Sequence, residues 1–167
     1  VLFRSGLAKF GKIDVRVNGV GMRPHKPLAE VSYEEWHAVH AVNQHSLFYL
    51  AKAVTPGMIA RKSGSIIAFG GMASLTAVLP QTAAVVSSKH GVYGLVKALA
   101  LELGPHGIRA NLLCPGYIDT HRRNPEWYQD TGGNPNTDAE LARAPLRRSG
   151  RPQEVAEVAL FLADRKS

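Results

Sequence analysis

The chain has 167 residues, of which 45% are hydrophobic, so it is long enough for one domain with an apolar core. Its single cysteine, Cys114, excludes an internal disulfide and is typical of a reducing, cytoplasmic environment. The formal charge of +7 is spread over scattered basic pairs without interleaved aromatic residues, and charges interrupt the apolar runs, so we expect neither a nucleic-acid nor a membrane partner.

Short apolar runs alternate with longer amphipathic ones along the chain. The first predicted strand, residues 13–18, stops at Gly19, and a helix then runs from a capping box at Ser32 to a turn before Gly64. Pro56 predicts a kink in that helix or the start of its last segment. After it we predict strands at 65–69 and 108–114 and helices at 82–103 and 152–163. This order is typical of a parallel sheet with crossover helices.

Each predicted strand is followed by residues that leave room for a ligand. In open parallel sheets ligands bind beyond the carboxyl ends of the strands, and glycine lets a backbone approach a flat ligand closely. For any one strand the simpler interpretation is that glycine turns the chain, but three such ends together favour a cleft. Gly19 and Gly21 alone are no dinucleotide fingerprint, because no third glycine follows at the required spacing and Pro24 interrupts. The three ends are residues 18–21, 70–72 and 115–118.

Several motifs together resemble the short-chain dehydrogenase/reductase family over residues 10–163. They are GKIDVRVNGVG at 11–21, the helix from Trp36 to Asn43, the lysine Lys89, IRAN at 108–111 followed by PGYIDT at 115–120, and PLRRSGRP at 145–152. The resemblance implies a Rossmann-like, doubly wound α/β fold, here a single partial domain over residues 1–167. It also implies an oxidoreductase that transfers hydride between a carbonyl or alcohol and NAD or NADP.

The resemblance assigns roles to single residues, position by position. Asn43 and Lys89 match the family's active-site asparagine and lysine, which anchor a water relay and bind the nicotinamide ribose. Lys89 lies on a mostly apolar helix, where an unpaired buried ammonium is costly, so a ribose contact accounts for it well. The implied cofactor-binding residues are Asn18, Gly19, Gly21, Lys89, Pro115, Gly116, Ile118 and Thr120.

Two positions depart from the family pattern. Val85 stands where the family has the tyrosine that protonates the alkoxide, and Gly71 where it has the serine that holds the carbonyl oxygen. Loss of a general acid lowers a rate about 10²- to 10⁴-fold, and loss of an oxyanion donor about 10²-fold or more. We therefore expect this chain to be severely impaired unless another group donates the proton. The candidates are Ser74 after a loop shift, Ser87 and Ser88 on the helix surface, Tyr117 and His90.

A weaker pattern concerns metal ligands and the cysteine. His37 and His40 share one helical face with Glu34 one turn earlier, which is how a metal site can begin. Because no further ligand is indicated by spacing, we interpret them as a solvent-facing stripe and predict no metal. Cys114 is interpreted as a small buried hydrophobic residue rather than a redox thiol.

The two ends of the sequence lack parts of the family pattern. The glycine-rich phosphate-binding turn and the last strand are missing, so we expect an incomplete chain with its first third encoded upstream. Residues 1–5 resemble translated adapter sequence rather than the helix expected there. Without its neighbour, the strand at 13–18 becomes an exposed apolar edge, so we expect a poorly soluble or molten protein. Residues 117–145 are expected to form the substrate lid.

Two functional classes follow from these observations. The first is an NAD(P)-dependent oxidoreductase that acts on a small organic molecule. The alternative is a non-catalytic relative that keeps the dinucleotide cleft for binding or regulation, which Val85 and Gly71 favour. The helix predicted at 82–103 resembles the helix through which family members contact a second subunit. The resemblance therefore implies a homodimer or homotetramer when full length.

Overall fold

The computed structural model describes residues 2–77, 79–120 and 141–164 of the chain. It contains three parallel strands and five α-helices within these residues, and this α/β architecture confirms the predicted fold class. The strands are β1 (Val15–Asn18), β2 (Gly64–Phe69) and β3 (Ile108–Leu113). The helices are α1 (Leu2–Phe10), α2 (Tyr33–His40), α3 (Ser46–Arg61), α4 (Ala83–Leu103) and α5 (Pro152–Ala163).

The sheet places β2 between β1 and β3, with every strand parallel to its neighbour. Side chains alternate between the two faces of a strand, so Ile66 and Ala68 of β2 share one face. They pack in one apolar core with residues of α3, α4 and β3. On the other face, Ser65 Oγ donates a hydrogen bond of 2.9 Å to the carbonyl of Leu162 in α5. The sheet therefore has helices on both faces, as in a doubly wound fold.

The long helix predicted after Ser32 is divided by a π-helical segment, Ala41–His45, between α2 and α3. Its capping box is confirmed: Ser32 Oγ accepts from the amide of Glu35, and the Glu35 carboxylate accepts from the amide of Ser32. Pro56 lies inside α3, which continues through it to Arg61, so no new helix begins there, and the predicted kink stays a prediction. The helix ends instead at Lys62, which adopts a left-handed conformation with φ of 53°.

The other predicted elements are found with small shifts at their ends. β1 begins two residues later than expected. Helix α1 (Leu2–Phe10) includes residues 2–5, which the sequence analysis interpreted as resembling adapter sequence. That interpretation of residues 1–5 stays a prediction, although the helix itself is present. Most of the predicted lid, residues 121–140, lies outside the described residues. No helix in the described part of the chain is long and apolar enough to cross a membrane.

Candidate active site

The carboxyl ends of the three strands lie at one edge of the sheet, because all strands are parallel. Asn18 at the end of β1 is paired with Ala68, and Phe69 at the end of β2 is paired with Leu113. The amide of Gly70 adds a hydrogen bond of 2.8 Å to the carbonyl of Leu113. The loops that carry most of the predicted site residues therefore leave the sheet side by side.

Asn43 lies inside the π-helical segment and is 1% exposed. Its Oδ1 accepts a hydrogen bond of 2.7 Å from the amide of Met22, and its Nδ2 donates to the Met22 carbonyl at 3.0 Å. The same Nδ2 donates to Ser88 Oγ at 2.9 Å. Asn43 therefore joins the loop after β1 to helix α4. Its amide is already bound by protein atoms on both sides.

The π-helical segment and α4 approach each other closely. A Cβ built on Gly91 would lie 2.6 Å from Nε2 of Gln44, which is shorter than a van der Waals contact between these atoms. Gly91 thus lets α4 pack directly against the segment that carries Asn43. A single-turn π-helix widens a helix locally and is frequent at functional sites.

Lys89 is 7% exposed on α4, and its Nζ donates a hydrogen bond of 2.8 Å to the carbonyl of Phe69 at the end of β2. Burial lowers the pKa of Lys89 from its ordinary value, since a charged ammonium loses hydration there. The positive charge of Arg23 lowers it further, whereas Cys114 acts in the opposite direction. The cluster thus contains a buried amine, and no salt bridge of Lys89 is found among the described residues.

At Gly21 the loop after β1 packs against Asn43 and Lys89. A Cβ built on Gly21 would lie 3.5 Å from both Asn43 Oδ1 and Lys89 Nζ, whereas Gly19 has only a Phe69 ring carbon, at 4.0 Å. Gly21, Asn43 and Lys89 are therefore brought together as the sequence predicted. Asn18 differs, because its side chain contacts Arg16 and Ser46 instead.

Val85 and Gly71 offer no chemical replacement for the groups that the family carries there. Val85 is 2% exposed and lies one helical turn before Lys89. Gly71 has φ of 108° and ψ of −179°, a conformation that residues with a side chain rarely adopt. The backbone at Gly71 is therefore unsuited to the serine that the family pattern has at this position.

The candidate substitutes fall in different environments. The assignment of Ser88 to the helix surface is wrong: it is fully buried, and its Oγ donates to the Val85 carbonyl while accepting from Asn43. Ser74 is also fully buried, and its Oγ has no hydrogen-bond partner in the described part of the protein. Ser87 contacts His40, and His90 is exposed.

Ser74 faces away from open solvent, toward the turn after β2. A Cβ on Gly70 would lie 2.5 Å from Ser74 Oγ and 2.9 Å from Cys114 Sγ. Both distances are too short for a real contact, so these two side chains leave no room for a side chain at position 70. Cys114 is half-buried rather than fully buried as expected. The Ser74 hydroxyl therefore lies against Gly70, on the side where a side chain of that residue would be.

The loop after β3 is held by Gly150, which precedes α5. The amide of Gly150 donates to the Tyr117 carbonyl at 2.8 Å, and the amide of Asp119 donates to the Gly150 carbonyl at 2.8 Å. These bonds fix Ile118 in a parallel bridge with Gly150. Pro115 approaches Gly71, whose Cβ would lie 3.9 Å from the Pro115 carbonyl oxygen. The predicted residues Gly116 and Thr120 lie on the same loop and are exposed.

His37 and His40 do not form the uniform solvent-facing stripe that the sequence suggested. His40 is half-buried, its ring lies 4.4 Å from the Trp36 ring, and its Nδ1 bonds to the Trp36 carbonyl at 2.9 Å. Because a carbonyl only accepts, Nδ1 carries the proton and Nε2 accepts from Ser87 Oγ at 2.9 Å. Within the described residues, no group of three or more histidine, cysteine or acidic side chains is arranged for a metal ion.

Sequence reasoning placed Ser88 on the helix surface, and it missed the backbone groups of Met22 and Phe69. Ser88 was recognisable in principle, because Val85, Lys89, Val92 and Ser88 recur at the three- and four-residue spacing of one helix face. The carbonyl of Phe69 and both backbone groups of Met22 carry no side-chain signal. Only the three-dimensional packing identifies them.

Comparisons with known proteins identify the family of the chain. The sequence profile of a family described as enoyl-(acyl carrier protein) reductase matches residues 1–167. A 3-oxoacyl-(acyl-carrier-protein) reductase from Thermotoga maritima is 37% identical over 161 residues, which are 95% of this chain and 62% of that protein. A D-threitol dehydrogenase from Mycolicibacterium smegmatis is 34% identical over 156 residues, which are 93% of this chain and 58% of that protein.

Solved structures show the same similarity. A gluconate 5-dehydrogenase from Burkholderia cenocepacia, in complex with NADP and tartrate, superposes with a TM-score of 0.86 at 33% identity. The match covers 98% of this chain and 62% of that one, so the chain spans less than two thirds of these relatives. A xylitol dehydrogenase bound to NAD+ superposes with a TM-score of 0.84 at 27% identity, over 98% of this chain and 66% of that one. With its motifs, its fold and these relatives, the chain belongs to the short-chain dehydrogenase/reductase family.

Proposed function

We propose that the protein is an NAD(P)-dependent oxidoreductase that transfers hydride to a carbonyl or from an alcohol. The observation that carries the proposal is the buried Lys89, held beside Asn43 and Gly21 where the carboxyl ends of the strands meet. The names of the relatives support it, because they are reductases and dehydrogenases. Since the chain spans about 62% of the first of them, the proposal concerns the activity of the whole protein.

The residues present fit a nicotinamide dinucleotide. Lys89 is a buried cation whose Nζ has three N–H groups, of which one donates to Phe69 in the structure. The remaining donors suit ribose hydroxyls, and the absence of a side chain at Gly21 leaves Nζ uncovered on that side, since a Cβ there would lie 3.5 Å from it. Reduced nicotinamide, when bound, supplies the hydride. The relatives include structures bound to NADP and to NAD+, so we propose either cofactor.

We propose that Asn43 and Lys89 act at the reacting end and that the strand ends hold the cofactor. Asn43 keeps the loop after β1 in place, since both backbone groups of Met22 bond to its amide. Lys89 contacts the ribose. The cofactor-binding residues are proposed to be Asn18, Gly19, Gly21, Lys89, Pro115, Gly116, Ile118 and Thr120. Asn18 contributes through its backbone, because its side chain is occupied by Arg16 and Ser46.

The proposal also covers the substrate class, the oligomeric state and the cellular compartment. The substrate is a small organic molecule, and the protein works as a homodimer or homotetramer in the cytoplasm, where a lone cysteine stays reduced. Val85 and Gly71 are the basis of the non-catalytic alternative. The named activities of the relatives do not favour it.

Cofactor binding tests the proposal directly. The protein expressed from its complete gene is titrated with NADH and NADPH while nucleotide fluorescence is followed. We expect saturable binding of at least one nucleotide, reduced by Lys89→Met. Lys97→Met is the matched control, because Lys97 is an exposed lysine on the same helix, stacked on the Tyr93 ring. Absence of binding by the folded protein would contradict the proposal.

Turnover is tested with the same protein on a panel of small aldehydes, ketones and alcohols. Val85→Tyr places a phenol one turn before Lys89 and should raise turnover about 10-fold or more, since a positioned general acid contributes about 10²- to 10⁴-fold. The buried site has to accommodate the larger ring, which typically costs about 1–3 kcal/mol of stability. Thermal unfolding of Val85→Tyr therefore accompanies the assay.

A further inference from the structure

We infer that the Lys89 ammonium itself donates the proton to the substrate oxygen, directly or through one water molecule. The inference rests on the proposed function and names the acid that the sequence lacks. Carbonyl reduction leaves an alkoxide that must be protonated in or near the transition state. Val85, which stands in place of the family's tyrosine, has no titratable proton.

The geometry places Lys89, a titratable group, within the cluster. Its Nζ lies at the strand ends beside Gly21 and Asn43, with one hydrogen bond, to the Phe69 carbonyl, among the described residues. Two further N–H groups are available to a ligand. Lys89 is 7% exposed, so most of its side chain is shielded from bulk solvent.

The competing hydroxyls are occupied or misplaced. Ser88 Oγ donates to the Val85 carbonyl and accepts from Asn43, so its proton is already committed within α4. Ser74 is 0% exposed, and its Oγ is enclosed beside Gly70. Ser87 is exposed and donates to His40 on the side of α4 that faces α2. The phenol of Tyr117, on the loop after β3, is the other candidate proton donor, and the experiment has to distinguish it from Lys89.

The electrostatic surroundings favour proton release. No carboxylate forms a salt bridge with Lys89 within the described residues, and Arg23 adds a positive charge from the loop after β1. Burial and Arg23 both lower the pKa of this lysine, while Cys114, after β3, raises it. A lowered pKa makes the ammonium a stronger acid, which is protonated below that pKa and loses its proton as the pH rises through it.

The step balances in protons and electrons. The carbonyl carbon accepts a hydride and is reduced, and the nicotinamide is oxidised correspondingly. The carbonyl oxygen takes the proton from Lys89 Nζ, so one N–H bond breaks and one O–H bond forms. Lys89 is left as a neutral amine and regains its proton from water before the next turnover.

The first test follows the protonation of Lys89 without cofactor. Lysine side chains labelled with ¹³C are observed by NMR over a pH series, and Lys89→Arg assigns the Lys89 signal. We expect Lys89 to titrate at a lower pH than Lys97, the exposed control on the same helix. Titration of both lysines at the same pH overturns the inference.

The second test measures pH profiles of reduction for the wild type, Lys89→Arg and Tyr117→Phe. A guanidinium keeps the charge but does not release a proton at neutral pH. We expect Lys89→Arg to bind NADPH within a few-fold of wild type and to lose about 10²- to 10⁴-fold in kcat. The wild-type rate should fall with rising pH at the midpoint that NMR gives for Lys89, and Tyr117→Phe should keep that midpoint.

The outcomes separate this inference from the proposed function. Normal cofactor binding and turnover with an unchanged kcat in Lys89→Arg overturns only the inference. A pH midpoint that disappears in Tyr117→Phe also overturns it and assigns the acid to Tyr117. A folded wild type that neither binds nor oxidises NADH or NADPH overturns both.

Discussion

At the scale of single residues, Asn43 depends on Ser88. Ser88→Ala removes an acceptor from the buried Nδ2 of Asn43, and an unsatisfied buried group costs about 1–3 kcal/mol. We therefore expect the free energy of unfolding to fall by that amount, measured by urea denaturation. Cofactor affinity should fall with it, because the loop at Met22 is held by the same amide.

Ser87→Ala is the matched control, since Ser87 precedes Ser88 in α4 but is exposed. Loss of its bond to His40 should change stability by no more than about 0.5 kcal/mol. An equal loss of unfolding free energy in the two variants would show that the burial of Ser88 does not account for the destabilisation.

How far the site was predictable also differs residue by residue. Lys89, Asn43 and Gly21 were assigned from the resemblance to the family, and the structure brings these three residues together. Ser88 was misassigned because a serine beside a lysine resembles a polar helix surface, although its position falls on the apolar face. Contacts made by backbone atoms, such as the Phe69 carbonyl, leave no mark in the sequence.

At the scale of elements, the turn after β2 is constrained by Gly71. Any side chain at φ of 108° is strained, so Gly71→Ala is expected to lower the free energy of unfolding by about 1–3 kcal/mol. The measurement is chemical denaturation at neutral pH. The same strain opposes Gly71→Ser, so restoring the family's serine should not restore activity without a change in this turn.

Gly116→Ala provides the comparison for Gly71→Ala. Gly116 follows a neighbouring strand, has no positive φ, and a Cβ there meets nothing within 4 Å. A stability change within about 0.5 kcal/mol is expected for it. A loss as large as that of Gly71→Ala would rule out backbone strain as the explanation.

The start of α5 carries a pH-dependent contact. The side-chain hydrogen bonds from Arg148, at 2.8 and 3.0 Å, and then the amide of Arg151 lower the pKa of Glu154 to about 2. A lowered carboxyl pKa stabilises the fold above the unfolded-state value of 4.5, and this contribution is lost as the pH falls toward 2. Glu154→Gln should therefore lower the Tm at pH 7 but not at pH 2.

The effect of Glu154→Gln is expected to be small, because the contact is exposed to solvent. Glu157→Gln, on the same helix, is the control in the same series of thermal unfolding measurements. A constant difference in Tm between wild type and Glu154→Gln from pH 7 to pH 2 would exclude the proposed linkage.

Element types were largely predictable, and element boundaries less so. Hydrophobic periodicity marks β2 and α4 because each buries apolar side chains, whereas α5 has no fully buried residue. The periodicity does not register the π-helical segment, whose extra backbone spacing is stabilised by tertiary contacts of Asn43 and Gln44. Pro56 does not end α3, because packing of the helix on the sheet maintains a helix that local preference would interrupt.

At the scale of the whole molecule, β1 is the feature most open to other chains. It pairs only with β2 among the described strands, and Val15 and Val17 are 37% and 40% exposed. Unpaired apolar edges promote association. We expect Val17→Lys to reduce the aggregated fraction of the protein in light scattering at high concentration.

Leu28→Lys tests whether the edge is responsible. Leu28 is 71% exposed on a short 3-10 turn outside the sheet. The Leu28→Lys variant should aggregate more than the Val17→Lys variant, although both substitutions add one positive charge. An equal effect would attribute the improvement to net charge. A protease-resistant, monomeric wild type would contradict the expectation of a poorly soluble or molten protein.

The π-helical segment also affects which changes of chain length the protein should tolerate. A π-helical turn contains one residue more than an α-helical turn, so deletion of one residue between Ala41 and His45 would close the segment to a regular α-helix. The inward row of α3, Leu47, Ala51, Val54 and Met58, would then still face the core. A one-residue deletion within α3 would instead turn the residues after it by about 100° around the helix axis. Loss of one residue should therefore be tolerated better at the π-helical segment than within α3, although it would displace Asn43.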